Sequence, residues 1–145
     1  MKKFLLLLTM AIVTVTTSFA GDNDINKTAQ ANFAAHFAKS TNVKWEKNEN
    51  YYKASFQLNG QSLSALFSGQ GDMIAVSRNI LSPELPILLQ SALDINLSDS
   101  WISELTEYAV DGNTRYYVTI ENANEKTVYE SVGTYDWSMV KKIAK

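Results

Sequence analysis

Few side chains in this sequence have the types and spacing that chemistry requires, and each candidate meets a physical objection. Ser138-Met139-Val140-Lys141 matches the S-x-x-K pattern of serine acyl enzymes, in which one helical turn brings the amine to the hydroxyl. Here the four residues fall on a predicted strand, where positions three apart point to opposite faces. No Ser-Asp-Asn or Lys-Thr-Gly sequence accompanies them. Asp22, Asp24 and Asn26 have the alternating oxygen spacing that opens a calcium loop, but Lys27 stands where the loop requires glycine and Phe33 where it requires glutamate. The single histidine, His36, cannot by itself build a Ser-His-Asp site or a zinc site. Glu104, Glu107, Glu121 and Glu130 are the carboxylates available for paired acid-base work, and a solvated strand face is the ordinary place for such residues. The chain has no cysteine, which removes thiol catalysis, thiolate metal sites, disulfides and the lipid-modified cysteine of bacterial lipoproteins. The expectation is a non-enzymatic protein with no cofactor and no metal.

The elements that would position a binding surface follow an address. Lys2 and Lys3 are followed by an apolar run from Phe4 to Val15, and Ser18-Phe19-Ala20 places small residues at a cleavage position. That is the signature of a secretory signal peptide, residues 1–20, with the mature chain starting at Gly21. Thr9, Thr14, Thr16 and Thr17 dilute the run below the roughly 20 apolar residues of a spanning helix. Loss of Lys2 and Lys3, from 13 basic residues against 15 acidic ones, takes the formal charge from −2 to −4. Nucleic acid and anionic membrane, which call for a basic patch, are poor partners for such a chain. Periplasm or extracellular space is the expected location, with no membrane span after cleavage.

Residues 21–145 read as a single domain. A helix is expected over Asn26 to Lys39, with Ala29, Phe33, Ala34 and Phe37 as its apolar stripe. Alternation then predicts four short strands around Val43 and Trp45, Tyr52 to Leu58, Leu63 to Phe67, and Met73 to Val76. Asn59-Gly60 between two of them is a strong hairpin signal. Ser82 and Pro83 suit the start of a second helix, whose core stripe would be Leu85, Leu88, Leu89, Ala92 and Leu93. Further strands are expected at Trp101 to Val110, Arg115 to Glu121, Lys126 to Val132 and Trp137 to Ile143.

A constant offset of 64 in the numbering places Tyr52 on Tyr116, Ala54 on Val118, Phe56 on Ile120, Gly69 on Gly133 and Asp72 on Asp136. This periodicity suggests duplication. The expected class is α+β, with two tandem helix-plus-four-antiparallel-strand units, about 24–80 and 81–145, and helices packed on one face of the sheet.

Val43-Lys44-Trp45, the Tyr52, Ala54, Phe56, Gly60, Ala65, Phe67 and Gly71 pattern, Leu85-Pro86 and Tyr117-Val118-Thr119-Ile120 resemble the PepSY-like exported bacterial proteins, whose fold is similar to that of β-lactamase inhibitory protein. The resemblance spans nearly all of residues 21–145. It implies a sheet with helices on one side and the other side open, and it carries no agreed catalytic residues to transfer. The cysteines that staple the named inhibitor are absent from this chain.

If Tyr52, Ala54, Phe56 and Leu58 face the helices, alternation sends Tyr51, Lys53, Ser55 and Gln57 to the open side, with Arg115, Tyr117, Thr119 and Glu121 beside them. Tyr51, Lys53, Arg115, Tyr117, Tyr129 and Trp137 are the candidate binding residues, because Tyr and Trp give large contact area at low entropy cost. The expected function is an exported binding module for an unidentified protein or envelope component. The competing reading is inhibition of a secreted or periplasmic enzyme, a protease or a β-lactamase.

Overall fold

The computed structural model describes residues 24–94, 97 and 99–145. The expected signal peptide, residues 1–20, and Asp22 of the calcium-like spacing lie outside the described residues. Eight strands form one antiparallel sheet in sequence order: β1 (Thr41–Lys47), β2 (Tyr51–Leu58), β3 (Gln61–Ser68), β4 (Met73–Asn79), β5 (Trp101–Val110), β6 (Asn113–Glu121), β7 (Glu125–Val132) and β8 (Asp136–Ala144). Among the described residues two short α-helices accompany them, α1 (Lys27–His36) and α2 (Ile87–Asp94).

The class expected from sequence is therefore corrected: the chain is mostly β, and it is one sheet rather than two tandem units. Hydrogen-bonded pairing continues from β4 to β5, with Val76 opposite Ala109, Arg78 opposite Glu107 and Asn79 opposite Thr106. A packed cluster also crosses that junction, joining Leu66 and Ala75 to Tyr108, Tyr117 and Val128. Periodicity reported strand spacing, which is a local property; whether the fourth strand pairs with the fifth is decided by contacts far apart in sequence.

Turn chemistry places the hairpins where the sequence indicates. Asn59 and Gly60 both have positive φ, at 51° and 80°, as do Asp111 and Gly112, at 49° and 75°. That combination is the type I′ geometry whose twist matches the flanking strands. Helix α1 has 10 residues, too few to be stable alone. It is held by Phe33, whose ring meets Phe56 edge-on at 5.0 Å, Trp45 at 5.5 Å and Phe67 at 6.5 Å. Its N-terminus is capped by Asn26, whose side-chain oxygen accepts the Thr28 N–H at 2.7 Å while its amide donates to the Gly69 carbonyl at 3.0 Å. The Asn26 oxygen is thus committed to the helix rather than to a cation.

The second helix starts later than predicted. Ser82–Glu84 form a 3-10 turn, and Leu85 is extended at φ −68° and ψ 153°, because the ring of Pro86 disfavours helical backbone at the residue before it. With α2 starting at Ile87, Leu85, Leu89 and Leu93 reach the core while Leu88 is 56% exposed. Arg78 ties this loop to the sheet, donating to both carboxylate oxygens of Glu107 and, at 3.0 Å, to Glu84. Glu84 in turn accepts the Leu81 N–H at 2.8 Å.

Gly71 is where the β3–β4 turn meets α1. It has φ +96°, and a Cβ there would lie 2.6 Å from the Ala29 backbone nitrogen and 2.7 Å from Thr28 Cβ. Asn32 donates to its carbonyl at 2.9 Å. Gly71→Ala is expected to cost about 2 kcal/mol or more, from backbone strain together with that contact; urea denaturation of the two proteins checks it. Gly60→Ala, at similar φ with nothing within 4 Å, is expected to cost less.

Candidate binding face

Strand register assigns every residue to one of two faces. The helix face carries two core clusters, one around Phe33, Trp45, Phe56 and Phe67, the other around Leu85, Leu89, Leu105, Val118 and Ile120. Among the described residues no helix lies over the opposite face, yet its centre is buried. Leu66, Ala75, Tyr108, Tyr117 and Val128 pack together there, with Tyr51, Ile74, Val110 and Val140 at their margins. Register shifts mark bulges or irregularities in the β1–β2, β3–β4, β5–β6 and β7–β8 pairs. Bulges bend strands, and a bent sheet lets side chains from separated strands cover one another.

This face holds a trough of about 340 Å³. Its walls are Glu46, Tyr51 and Lys53 from β1 and β2, and Glu104, Thr106 and Tyr108 from β5. Leu66 and the short side chains Ser64 and Ser77 lie between them, with Asn79. Thr106 donates to the side-chain oxygen of Asn79 at 3.2 Å, and the Ser55 and Ser64 hydroxyls lie 3.4 Å apart. A wider concavity of about 620 Å³ shares Ser64, Ser77 and Asn79 and continues toward Asn42 and Gln57.

The six residues singled out from sequence divide between the faces. Tyr51 and Lys53 line the trough, and Lys53 approaches Glu46 at 3.7 Å. Arg115 lies on the same face, paired with Glu130 at 2.8 Å. Tyr117 is also there, but it is only 3% exposed and its ring packs edge-on against Tyr108 at 5.3 Å. Tyr129 and Trp137 belong to the helix side, against the second core cluster. The Trp137 indole N–H donates to the Leu89 carbonyl at 3.0 Å, which makes it an anchor for α2. Glu46, Glu104 and Tyr108 also line the trough; they were not among the six, and Glu104 was expected only as one of four carboxylates on a solvated strand face. Alternation of Thr106, Tyr108 and Val110 was visible in the sequence, but their face depends on the register with β4 and on the irregularity between Ile102 and Glu104.

The residues considered for catalysis do not converge. Glu107 pairs with Arg78, Glu130 with Arg115, and Glu121 with Lys126 and Lys145 at 2.7 and 3.0 Å. The lysines, with a hydrogen bond from Ser103 between them in strength, hold the Glu121 carboxyl down at about 2, far from the range of a general acid at neutral pH. Ser138 and Lys141 sit opposite Glu130 and Val128, and the shift between Val128 and Tyr129 interrupts the alternation expected there. Both are exposed. His36 donates to the Asn32 carbonyl at 2.8 Å on an exposed helix end. Among the described residues no cluster of three or more metal-binding side chains occurs, and no helix is long and apolar enough to cross a membrane.

Solved structures share this architecture. A DUF2874 family protein from Bacteroides uniformis ATCC 8492 superposes with a TM-score of 0.71 at 18% identity, covering 83% of this chain and 89% of its own. A BLIP-like protein from Bacteroides fragilis NCTC 9343 does so with a TM-score of 0.64 at 16% identity, covering 85% and 90%. The fold is BLIP-like. A protein of Bacteroides eggerthii DSM 20697, provisionally named as periplasmic, matches with a TM-score of 0.70 at 13% identity over 82% and 88% of the two chains. No family model matches the chain, and no curated protein does. The neighbours are therefore similar in fold alone, and none of their names is that of an enzyme.

Burial and neighbouring carboxylates act together on the tyrosines of the BLIP-like sheet's open face. Tyr108 is pushed up to about 12 by desolvation, then by Glu104; Tyr51 is raised by desolvation, then by Glu46. Burial also raises Tyr117, whose hydroxyl makes no hydrogen bond of ordinary geometry. A phenol raised in the folded state is protonated in both states below the unfolded value of 10.0, and folding loses stability as pH climbs above it. Stability is therefore expected to decline between about pH 10 and 12, less steeply in Tyr108→Phe, as read by denaturant midpoints. Glu121 has the opposite sign. Its lowered value supports the fold above its ordinary 4.5, and that support is lost as pH falls toward 2. The stability gap between the parent and Glu121→Gln should be full at pH 6 and close across that acid window.

Proposed function

We propose that this chain is an exported, non-enzymatic binding module that engages a protein or envelope component through the open face of its sheet. The observation that carries the reading is the trough between β2 and β5: a concave surface with half-buried Tyr51, small residues at its base and charged groups on both walls. Such a site has the aromatic and polar mixture of recognition surfaces. Export rests on the signal signature of residues 1–20, with cleavage before Gly21, and on the fold shared with the Bacteroides eggerthii protein of provisional periplasmic name. PepSY-like kinship, drawn from the Val43-Lys44-Trp45 and Tyr117-Val118-Thr119-Ile120 segments, belongs to the same reading.

Tyr117 and Trp137 are unsuitable probes, because both are held in packed clusters and their truncation would disturb the fold. Filling the trough is cleaner. The chain from Gly21, carrying Ser64→Phe and Ser77→Phe, is expected to keep its far-ultraviolet circular dichroism and lose the partner that the parent captures from envelope extract of its native cell. Equal capture by the filled variant, identified by mass spectrometry, would remove the trough from the binding surface.

The BLIP-like neighbour favours one second reading, inhibition of an enzyme outside the cytoplasm. Purified protein assayed against serine β-lactamases and secreted proteases separates it from simple binding. Inhibition that disappears in the trough-filled variant would assign both roles to one face.

A further inference from the structure

We infer that the trough accepts a cationic side chain, lysine or arginine, presented by a protein partner. The inference rests on the reading of the open face as a binding surface and specifies what that surface recognises. Two carboxylates stand on opposite walls, Glu46 on β1 and Glu104 on β5, and Lys53 is the one basic residue in the lining. Lys53 lies 3.7 Å from Glu46, a loose pair, while Glu104 is exposed and has no ion-pair partner among the described residues. The lining therefore carries one negative charge in excess, and the uncompensated one projects from β5.

The rest of the lining suits the same guest. Half-buried Tyr51 supplies aromatic surface, to which ammonium and guanidinium groups are attracted, and Tyr108 lines the trough beside it. Ser64, Ser77 and Asn79 add oxygen acceptors for the several N–H donors that lysine and arginine carry. A volume of about 340 Å³ holds one long side chain rather than a folded segment. Burial first, and Glu46 and Glu104 second, raise the phenols of Tyr51 and Tyr108, and the two carboxylates leave the trough with a negative field. An anionic guest would meet that field with the wrong sign. A neutral saccharide would need a broad exposed aromatic platform, and Tyr108 is buried at 9% exposure.

The test is a ¹H–¹⁵N NMR titration of the chain from Gly21 with acetyl-Gly-Arg-Gly-amide and acetyl-Gly-Lys-Gly-amide. Acetyl-Gly-Glu-Gly-amide and chitotriose serve as controls. The basic peptides are expected to bind at about millimolar strength, to shift amides of Ser64, Ser77, Thr106 and Tyr108, and to weaken as salt is added. Glu104→Gln changes an exposed side chain, so its melting temperature should match the parent while its affinity falls about threefold. Glu46→Gln with Glu104→Gln should fall further, and Lys53→Gln should bind more tightly. No shift in the trough, equal shifts from the acidic peptide or chitotriose, or unchanged affinity in both Glu variants would overturn the inference. If the trough-filled protein loses its cellular partner while Glu104→Gln keeps both the partner and its peptide affinity, the binding face survives and the cationic guest does not.

Discussion

The pairing of β4 with β5 carries the sheet across the long connection that holds α2, and most of the other features follow from it. The eight strands share one sheet with two faces, and among the described residues helices lie over only one of them. Phe33 of α1 and Leu89 of α2 cover that side. The other side protects itself. Register shifts interrupt four of the strand pairs, and Leu66 and Ala75 pack with Tyr108, Tyr117 and Val128 across the junction. Apolar burial is the dominant favourable term in folding, so this self-covered face contributes to stability as a core does.

The trough lies on that same face. Short side chains at Ser64, Ser77 and Ala75 cannot fill the concavity, while Tyr51 and Tyr108 stand at its sides. Stability and recognition therefore draw on adjacent residues of one face. Tyr117 serves packing and Tyr51 lies at the accessible margin, although both came from the same alternation argument. Arg78 plays a related part on the helix side, where its bonds to Glu107 and Glu84 hold the irregular chain ahead of α2 against the sheet.

Several carboxylates on the strands are paired. Glu107, Glu121 and Glu130 each meet a cation, and Lys145 at the chain's end is tied to Glu121, to the Asn122 carbonyl and to the ring of Trp101 at 5.0 Å. These pairs sit near water and contribute modestly one by one. Glu104 differs from these three: it is exposed, it lines the trough, and it has no ion-pair partner among the described residues, so its charge is free to meet a guest.

The sequence alone determined the short-range features. Asn59-Gly60 and Asp111-Gly112 set hairpin turns because their residues tolerate positive φ; alternation marked the strands, and Tyr51 and Lys53 were assigned to the face they occupy. Even there, a helix starting at Ser82 would hold Pro86 in its first turn, where no amide partner is lost, and the limit that Pro86 sets on Leu85 moved the start to Ile87. Only the tertiary structure decided that the strands form one sheet, that Tyr117 is buried and Trp137 anchors α2, and that Glu104 and Tyr108 face Glu46 and Tyr51. Those outcomes depend on register, bulges and curvature. Each of these joins strands dozens of residues apart, and a one-residue slip reverses the face of every side chain beyond it.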